Sequence, residues 1–486
     1  MRWLADVVYV LVGLAYAPIA VYQAVFFGKN RRSWGERFGR VAVRAPGTPR
    51  IWLHAVSLGE INATPRLVAA LRARCPAFDI VLSTTTDTGY ARAVQLYGAE
   101  RVFRFPLDLS PVVSSVLRRV RPTMIVLVEL EVWPNLVRMA TRRGIPVVVV
   151  NGRLTRHSAR RLGMLGGAVR SMFGDLAWVG AQDETIAARF RRLGAREDRV
   201  TVTSSLKWDS ADVADRVDGD AALAGALGIA GDRPVWVCGS TGPGEEAMIL
   251  RAYRTLLTQW SDASDAVGAT GRSGEHRDAS SHAPQLVIVP RKPERFDDVA
   301  RLIDRAGFAC VRRSDHPDDM PATPAPAQPV SCVILGDTMG ELRKFYALAR
   351  VVLIGRSLVP MGGSDPMEAA ALGKPVVVGP HMDNFEVAVE LLRDADAIRV
   401  VEDASALAGV IGALLRDAAA ATAMGGRGRR VVREQQGATA RTVAGLVGVL
   451  RARGVGGVDA VHDAGRAACC GASERARAAT TARPTV

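Results

Sequence analysis

Residues 50–60 read Arg50-Ile51-Trp52-Leu53-His54-Ala55-Val56-Ser57-Leu58-Gly59-Glu60, an apolar, strand-like run that breaks into a serine followed three residues later by a glutamate. The run at 50–56 is suited to a buried strand, and Ser57 with Glu60 satisfies the S-x-x-E pattern that starts a helix. Strand into helix is the opening of a parallel α/β unit. Similar β-branched runs follow at 79–83, 123–130 and 146–150, with amphipathic stretches between them. That alternation predicts a parallel sheet with helices on both faces. A second series, at 234–238, 285–289, 331–335, 351–354 and 375–378, predicts a second such domain.

With 486 residues the chain exceeds the size at which one core keeps growing, so two domains are expected. The polar, Ala/Gly/Asp-rich stretch 210–232 reads as the connection. The boundaries are then 28–209 for the first domain and 233–453 for the second. Segments 261–284 and 314–329 read as surface insertions, and 454–486 as a disordered tail. Residues 7–27 are almost wholly apolar and near the length of a bilayer-crossing helix, so 1–27 is expected to be a membrane anchor; a secretory signal competes, since Ala15-Tyr16-Ala17 resembles a cleavage site, but Pro18 follows at once and the apolar run continues. Lys29, Arg31, Arg32, Arg37 and Arg40 follow it, which places the body on the cytoplasmic side of the inner membrane.

A formal charge of +14 calls for an anionic partner. No zinc-type cysteine spacing, RNA-binding aromatic signature or helix-turn-helix is found, so nucleic acid is not expected. The six cysteines are scattered apart from Cys469 and Cys470, a pattern suited to a reducing compartment.

In open α/β sheets ligands gather beyond the carboxyl ends of the strands. Glu60 lies at one such mouth, where it either completes a cap or takes a proton from an acceptor hydroxyl. Glu129 and Glu131 share one side of the run Ile125-Val126-Leu127-Val128-Glu129-Leu130-Glu131-Val132-Trp133-Pro134-Asn135, as an ion-pairing feature or as charges facing a substrate. Arg153 and Lys207 each follow a strand, where a cation either holds a phosphate or sugar carboxylate or simply lies in solvent. In the second half, Ser240-Thr241-Gly242-Pro243-Gly244-Glu245-Glu246, Gly336-Asp337-Thr338-Met339-Gly340-Glu341-Leu342 and Gly362-Gly363-Ser364-Asp365-Pro366-Met367-Glu368 look like loops entering helices whose amides cradle an anion. Glu368 is placed to accept from ribose hydroxyls, while Thr338 with Glu341 is also a plain capping box. Nothing in the sequence calls for a metal or a cofactor.

Together with Trp34-Gly35-Glu36-Arg37, Asn151 to Leu154, Ser205 to Asp209, Pro290-Arg291-Lys292-Pro293-Glu294-Arg295-Phe296 and Gly379-Pro380-His381 through Phe385, these motifs run in order to about residue 440. The chain resembles the Kdo (3-deoxy-D-manno-octulosonic acid) transferases of lipopolysaccharide synthesis. The resemblance implies a glycosyltransferase-B fold, two Rossmann-like domains facing a cleft, and metal-free, inverting transfer from CMP-Kdo to a lipid A precursor. It implies Glu60 as general base, with Glu129 and Lys207 stabilising the transition state. Pro290, Arg291, Met339, Gly340, Glu341, Asp365, Pro366, Met367 and Glu368 would contact the CMP moiety. Ser364-Asp365 stand where the family usually has His-Asn, Gly242 where it has a histidine, and Ser204 and Arg356 where it has glycine. The competing expectations are a UDP-sugar enzyme of the same fold, like a lipid A disaccharide synthase or an epimerase, and a non-catalytic basic membrane scaffold.

Overall fold

The computed structural model describes Asp6, Val7, Tyr9, Leu11 and residues 33–229, 231–268, 283–317 and 332–457. The remainder of the anchor stretch, most of both insertions, Cys469 and Cys470 lie outside the described residues. Among the described residues no single helix is long and apolar enough to cross a membrane.

The chain divides into two units, Met1–Leu206 with Gly437–Val486, and Lys207–Gln436. The first holds β1 (Arg50–His54), β2 (Asp79–Thr84), β3 (Val102–Arg104), β4 (Met124–Val128), β5 (Val147–Gly152), β6 (Trp178–Ala181) and β7 (Val200–Val202). They form one sheet in the order β3-β2-β1-β4-β5-β6-β7, and every pairing is parallel. The strand order reverses between β1 and β4, so the motifs that follow these two strands flank the point where an open sheet leaves a crevice. Both faces are covered: Trp52, Val81 and Ile125 enter one core, and Ile51, Leu53 and Leu82 enter the other. Double burial is why these strands read as continuous apolar runs rather than as alternating ones.

The second unit repeats the plan with β8 (Val235–Thr241), β9 (Gln285–Pro290), β10 (Ala309–Arg312), β11 (Cys332–Leu335), β12 (Val351–Ile354), β13 (Val376–Val378) and β14 (Ile398–Val400). Their order is β10-β11-β9-β8-β12-β13-β14, again parallel throughout, with the reversal between β8 and β12. Both α/β domains of the sequence reading are present.

Three boundaries differ from that reading. The last helix, Ala438–Ala452, belongs to the first unit: Val443, Leu446, Val447 and Leu450 pack in the same core as Ile51, Leu53 and Val126. The indole of Trp178 lies so close to Gly445 that an added Cβ would stand 2.3 Å from it. A terminal helix returning to the first sheet is a long-range packing event, invisible to local composition. Second, residues 210–232 are not a bare connection. The helix Asp220–Ala226 buries Leu223, Ala226 and Leu227, and Leu223 and Leu227 join the second unit's core beside Trp208 and Ala211. Third, residues 261–268 continue the helix Glu245–Gly268 instead of opening an insertion.

Candidate active site

At the end of β1, His54 is fully buried, its ring stacked on Phe105 at 3.8 Å and its Nδ1 3.0 Å from the carbonyl and hydroxyl oxygens of Ser83. Burial drives its pKa down to about 3, so the imidazole is neutral and holds the strand end. Three residues on, Ser57 caps the helix Leu58–Ala63, accepting from the Glu60 amide at 3.4 Å. The Glu60 carboxylate accepts from the Ser57 hydroxyl and from the Val56 amide, each at 2.8 Å. The capping box is therefore formed, and the same carboxylate stands half-buried at the strand mouth. Burial raises the Glu60 pKa, the hydrogen bonds from Val56 and Ser57 pull it back, and the charge of Glu129 raises it further.

β4 stops at Val128, so Glu129 and Glu131 lie in the loop beyond the strand rather than on one of its faces. The break is made by Glu129 itself, whose φ of 62° is left-handed and ends the extended period. A non-glycine residue held there stores strain of the sort that collects at functional sites. The Glu131 carboxylate accepts from the Trp133 indole at 3.0 Å, and burial, then the charges of Glu60 and Glu129, push its pKa up to about 7. Three carboxyl groups from the segments that follow β1 and β4 thus feel one another's charge at the first unit's reversal point.

The loop bearing them is fastened from two sides. Trp133 packs against Phe105 at 5.6 Å. The helix Pro134–Arg142 follows, and its first amides, those of Asn135 and Leu136, donate to Asp108 at 2.9 and 2.8 Å. The Asn135 side chain donates to Asp6 at 2.9 Å, and the hydroxyl of Tyr9 donates to Asp108. Burial, first of all, pushes Asp108 up to about 7. The sequence alone gives no such role to Asp6, Tyr9 or Asp108. An aspartate 27 residues before the first amide it caps leaves no local signal.

Other first-unit motifs serve the frame. Glu36 accepts from the Arg104 amide at 2.8 Å, and Arg37 donates to the Thr85 carbonyl at 2.8 Å. Asn151 accepts from the Leu206 amide at 3.1 Å, while Arg153 is exposed.

Lys207 belongs to the second unit, where its ammonium lies 5.3 Å from the ring of Phe385. It acts on Asp365 together with Arg291: burial pushes the Asp365 carboxyl up to about 7, and these two cations pull it back. Asp365 accepts from the Met367 amide at 2.8 Å, which gives the added carboxylate its partner next to Pro366. Glu368 is half-buried, and burial raises its pKa against the opposing charge of Arg343. Pro290 ends β9, and Arg291 is exposed just past it, with its amide bonded to the Thr241 carbonyl. Met339 is exposed and Gly340 has φ of 90° with open space around it, whereas the Glu341 carboxylate is engaged by Arg313, Thr338 and Lys344 and held near pKa 2.

The loop after β8 differs most from expectation. Its carboxylates occupy the amides that an anion would otherwise reach. Glu245, fully buried, accepts from the amides of Gly242, Ser357 and Leu358 at 2.8, 2.8 and 2.9 Å and from that of Arg356 at 2.5 Å. Glu246 accepts from Thr241 and from both terminal nitrogens of Arg295. The first glutamate ties the loop after β12 to the loop after β8, and the second ties β9's exit to the same place.

Residues 32–210 match the family described as 3-deoxy-D-manno-octulosonic-acid transferase (kdotransferase). The chain is 36% identical over 419 residues to the 3-deoxy-D-manno-octulosonic acid transferase of Bordetella pertussis, covering 84% of this chain and 90% of that protein. It is 31% identical over 420 residues to the same-named enzyme of Haemophilus influenzae, covering 85% and 90%. Among solved structures, HepE of Anabaena in complex with UDP superposes with a TM-score of 0.51 at 14% identity, over 82% of this chain and 99% of that one, a likeness of fold alone. The ordered motifs, the paired seven-stranded sheets and this level of identity agree: the chain belongs to the Kdo transferase family and is a glycosyltransferase.

Proposed function

We propose that this enzyme moves Kdo from CMP-Kdo onto a bis-phosphorylated, tetra-acylated lipid A precursor, with inversion and without a metal. The observation that supports it most is the Glu60 carboxylate, half-buried at the first reversal point beside Glu129 and Glu131. Glu60 takes the proton of an acceptor hydroxyl as that oxygen attacks the anomeric carbon of Kdo. The bond from that carbon to the CMP phosphate breaks, and CMP leaves with the electron pair. Proton removal of this type contributes roughly 100- to 10,000-fold. Glu129 offsets positive charge developing on the sugar, and Lys207 and Arg291 offset negative charge on the departing phosphate. Pro290, Met339, Gly340, Asp365, Pro366, Met367 and Glu368 hold the CMP moiety, with Glu341 setting its loop through Arg313.

Residues 1–27 would tether the enzyme to the inner membrane with its body on the cytoplasmic side. The formal charge of +14 suits a phosphorylated acceptor in an anionic leaflet. The test is to incubate the purified enzyme with CMP-Kdo and the tetra-acylated precursor and to weigh the products. Precursor heavier by Kdo is expected. Inertness toward CMP-Kdo combined with turnover of a UDP-sugar would overturn the assignment in favour of the related nucleotide-sugar chemistry.

A further inference from the structure

Arg356 is the second residue past β12, at the second unit's reversal point, where the sheet opens between β8 and β12. Its φ is 61°. Left-handed backbone is free for glycine and costly for an arginine, so the position carries strain that a smaller residue would avoid. Across the reversal point stands Gly242, where an added Cβ would meet the Cγ of Arg356 at 3.0 Å and the sulfur of Met361 at 2.8 Å. The arginine stem therefore fills the space that a side chain at 242 would take. The two positions form a matched pair, glycine on one loop and a strained cation on the other.

Among the described residues the half-buried guanidinium has one hydrogen-bond partner, the Met361 carbonyl, 3.1 Å from Nη2. Among the described residues it makes no ion pair, and the nearby Glu245 carboxylate is already taken by backbone amides, that of Arg356 included. A strained, unpaired cation at a reversal point, with donors left over on a planar fork, is built for an oxyanion. We propose that Arg356 binds the phosphate of the nucleotide donor and that Gly242 is required to admit it. The proposal rests on the CMP-Kdo reading and adds a contact to it.

The experiment is calorimetric titration of wild type, Arg356→Gly and Arg356→Lys with CMP, UDP and cytidine, alongside thermal melts. Glycine relieves the left-handed backbone, so Arg356→Gly should melt no lower than wild type. Its CMP affinity should fall on the order of 10- to 100-fold. Cytidine, which lacks the phosphate, should bind both proteins equally, and Arg356→Lys should be intermediate because it keeps the charge and loses the fork. Unchanged CMP affinity in Arg356→Gly overturns the contact. If wild type prefers UDP to CMP and Arg356→Gly weakens UDP, the donor assignment falls while the phosphate contact stands. Equal weakening of cytidine and CMP would make Arg356 a structural brace and also overturn the proposal.

Discussion

Ser57 and Glu60 exchange hydrogen bonds: the serine oxygen accepts from the Glu60 amide at 3.4 Å and its hydroxyl donates to the Glu60 carboxylate at 2.8 Å. The other carboxylate oxygen accepts from Val56. Glutamine can keep both partners, its oxygen accepting from the Val56 amide and its nitrogen donating to the Ser57 hydroxyl, which can turn to accept. Glu60→Gln is thus expected to preserve the capping box and to leave stability little changed. Turnover should drop roughly 100- to 10,000-fold if the carboxylate is the base. Measuring turnover on folded protein, with CMP affinity as the control, isolates that loss. A turnover loss no larger than that of Ser57→Ala, which does break the box, would return Glu60 to a purely structural role.

Glu131 carries a pH signature at the first unit's reversal point. Its folded-state pKa is raised from 4.5 to about 7, so folding favours its protonated form. The contribution is full below pH ~4.5 and is lost as pH rises through about 7, because the unfolded chain then releases the proton more readily. Glu131→Gln keeps an acceptor for the Trp133 indole without the charge. Its melting temperature should rise relative to wild type between pH 5 and pH 8. A difference that is flat with pH would show that Glu131 ionises freely.

The sheets were legible because parallel strands buried on both faces leave long apolar runs, as at 124–128 and 147–150. Strands β3, β6, β7, β10 and β14 escaped notice, being only three or four residues long at or near the sheet edges. Glu60 and Glu131 were found because acids after apolar runs stand out locally. Asp108, Tyr9 and Glu245 were not found as fasteners, since each acts through a partner distant in sequence. Glu245 joins residues 111 to 113 positions away. Arg356 was noticed as an unusual residue, but its relation to Gly242 is a distance and has no expression in sequence spacing.

Removing residues 1–27 should slow catalysis, whatever the segment does at a membrane. It deletes Asp6, which accepts from the Ser110 amide and the Asn135 side chain at 2.9 Å each, and Tyr9, which donates to Asp108. These groups fasten the helix that begins just after Glu131 and Trp133. The truncated enzyme is expected to bind CMP normally, because the loops proposed for the donor belong to the other unit, yet to turn over detergent-dispersed acceptor more slowly. Asp6→Ala in the full-length chain should reproduce part of the loss, since it leaves two donors short of a partner. Full turnover by both proteins would reduce the segment to a tether.

The last helix offers a test of how the chain is divided. Leu446 is fully buried against the first sheet, although the 230 residues of the second unit lie between Leu206 and Gly437, where the chain returns to the first unit. Leu446→Ala should cost about 2–5 kcal/mol, the range for emptying a well-packed leucine site. The loss should fall on one unit only. A ligand stabilises the state that binds it, so CMP bound to the second unit as proposed would mark that unit in urea unfolding by moving its transition upward. Leu446→Ala is therefore expected to lower the transition that CMP leaves in place and to spare the one that CMP moves. Gly445→Ala should act in the same direction, because the new methyl would collide with the Trp178 ring and overpacking at such a contact costs about 1–3 kcal/mol. If either substitution lowered the CMP-sensitive transition instead, the helix Ala438–Ala452 would owe its stability to the second unit, as its position in the sequence suggests.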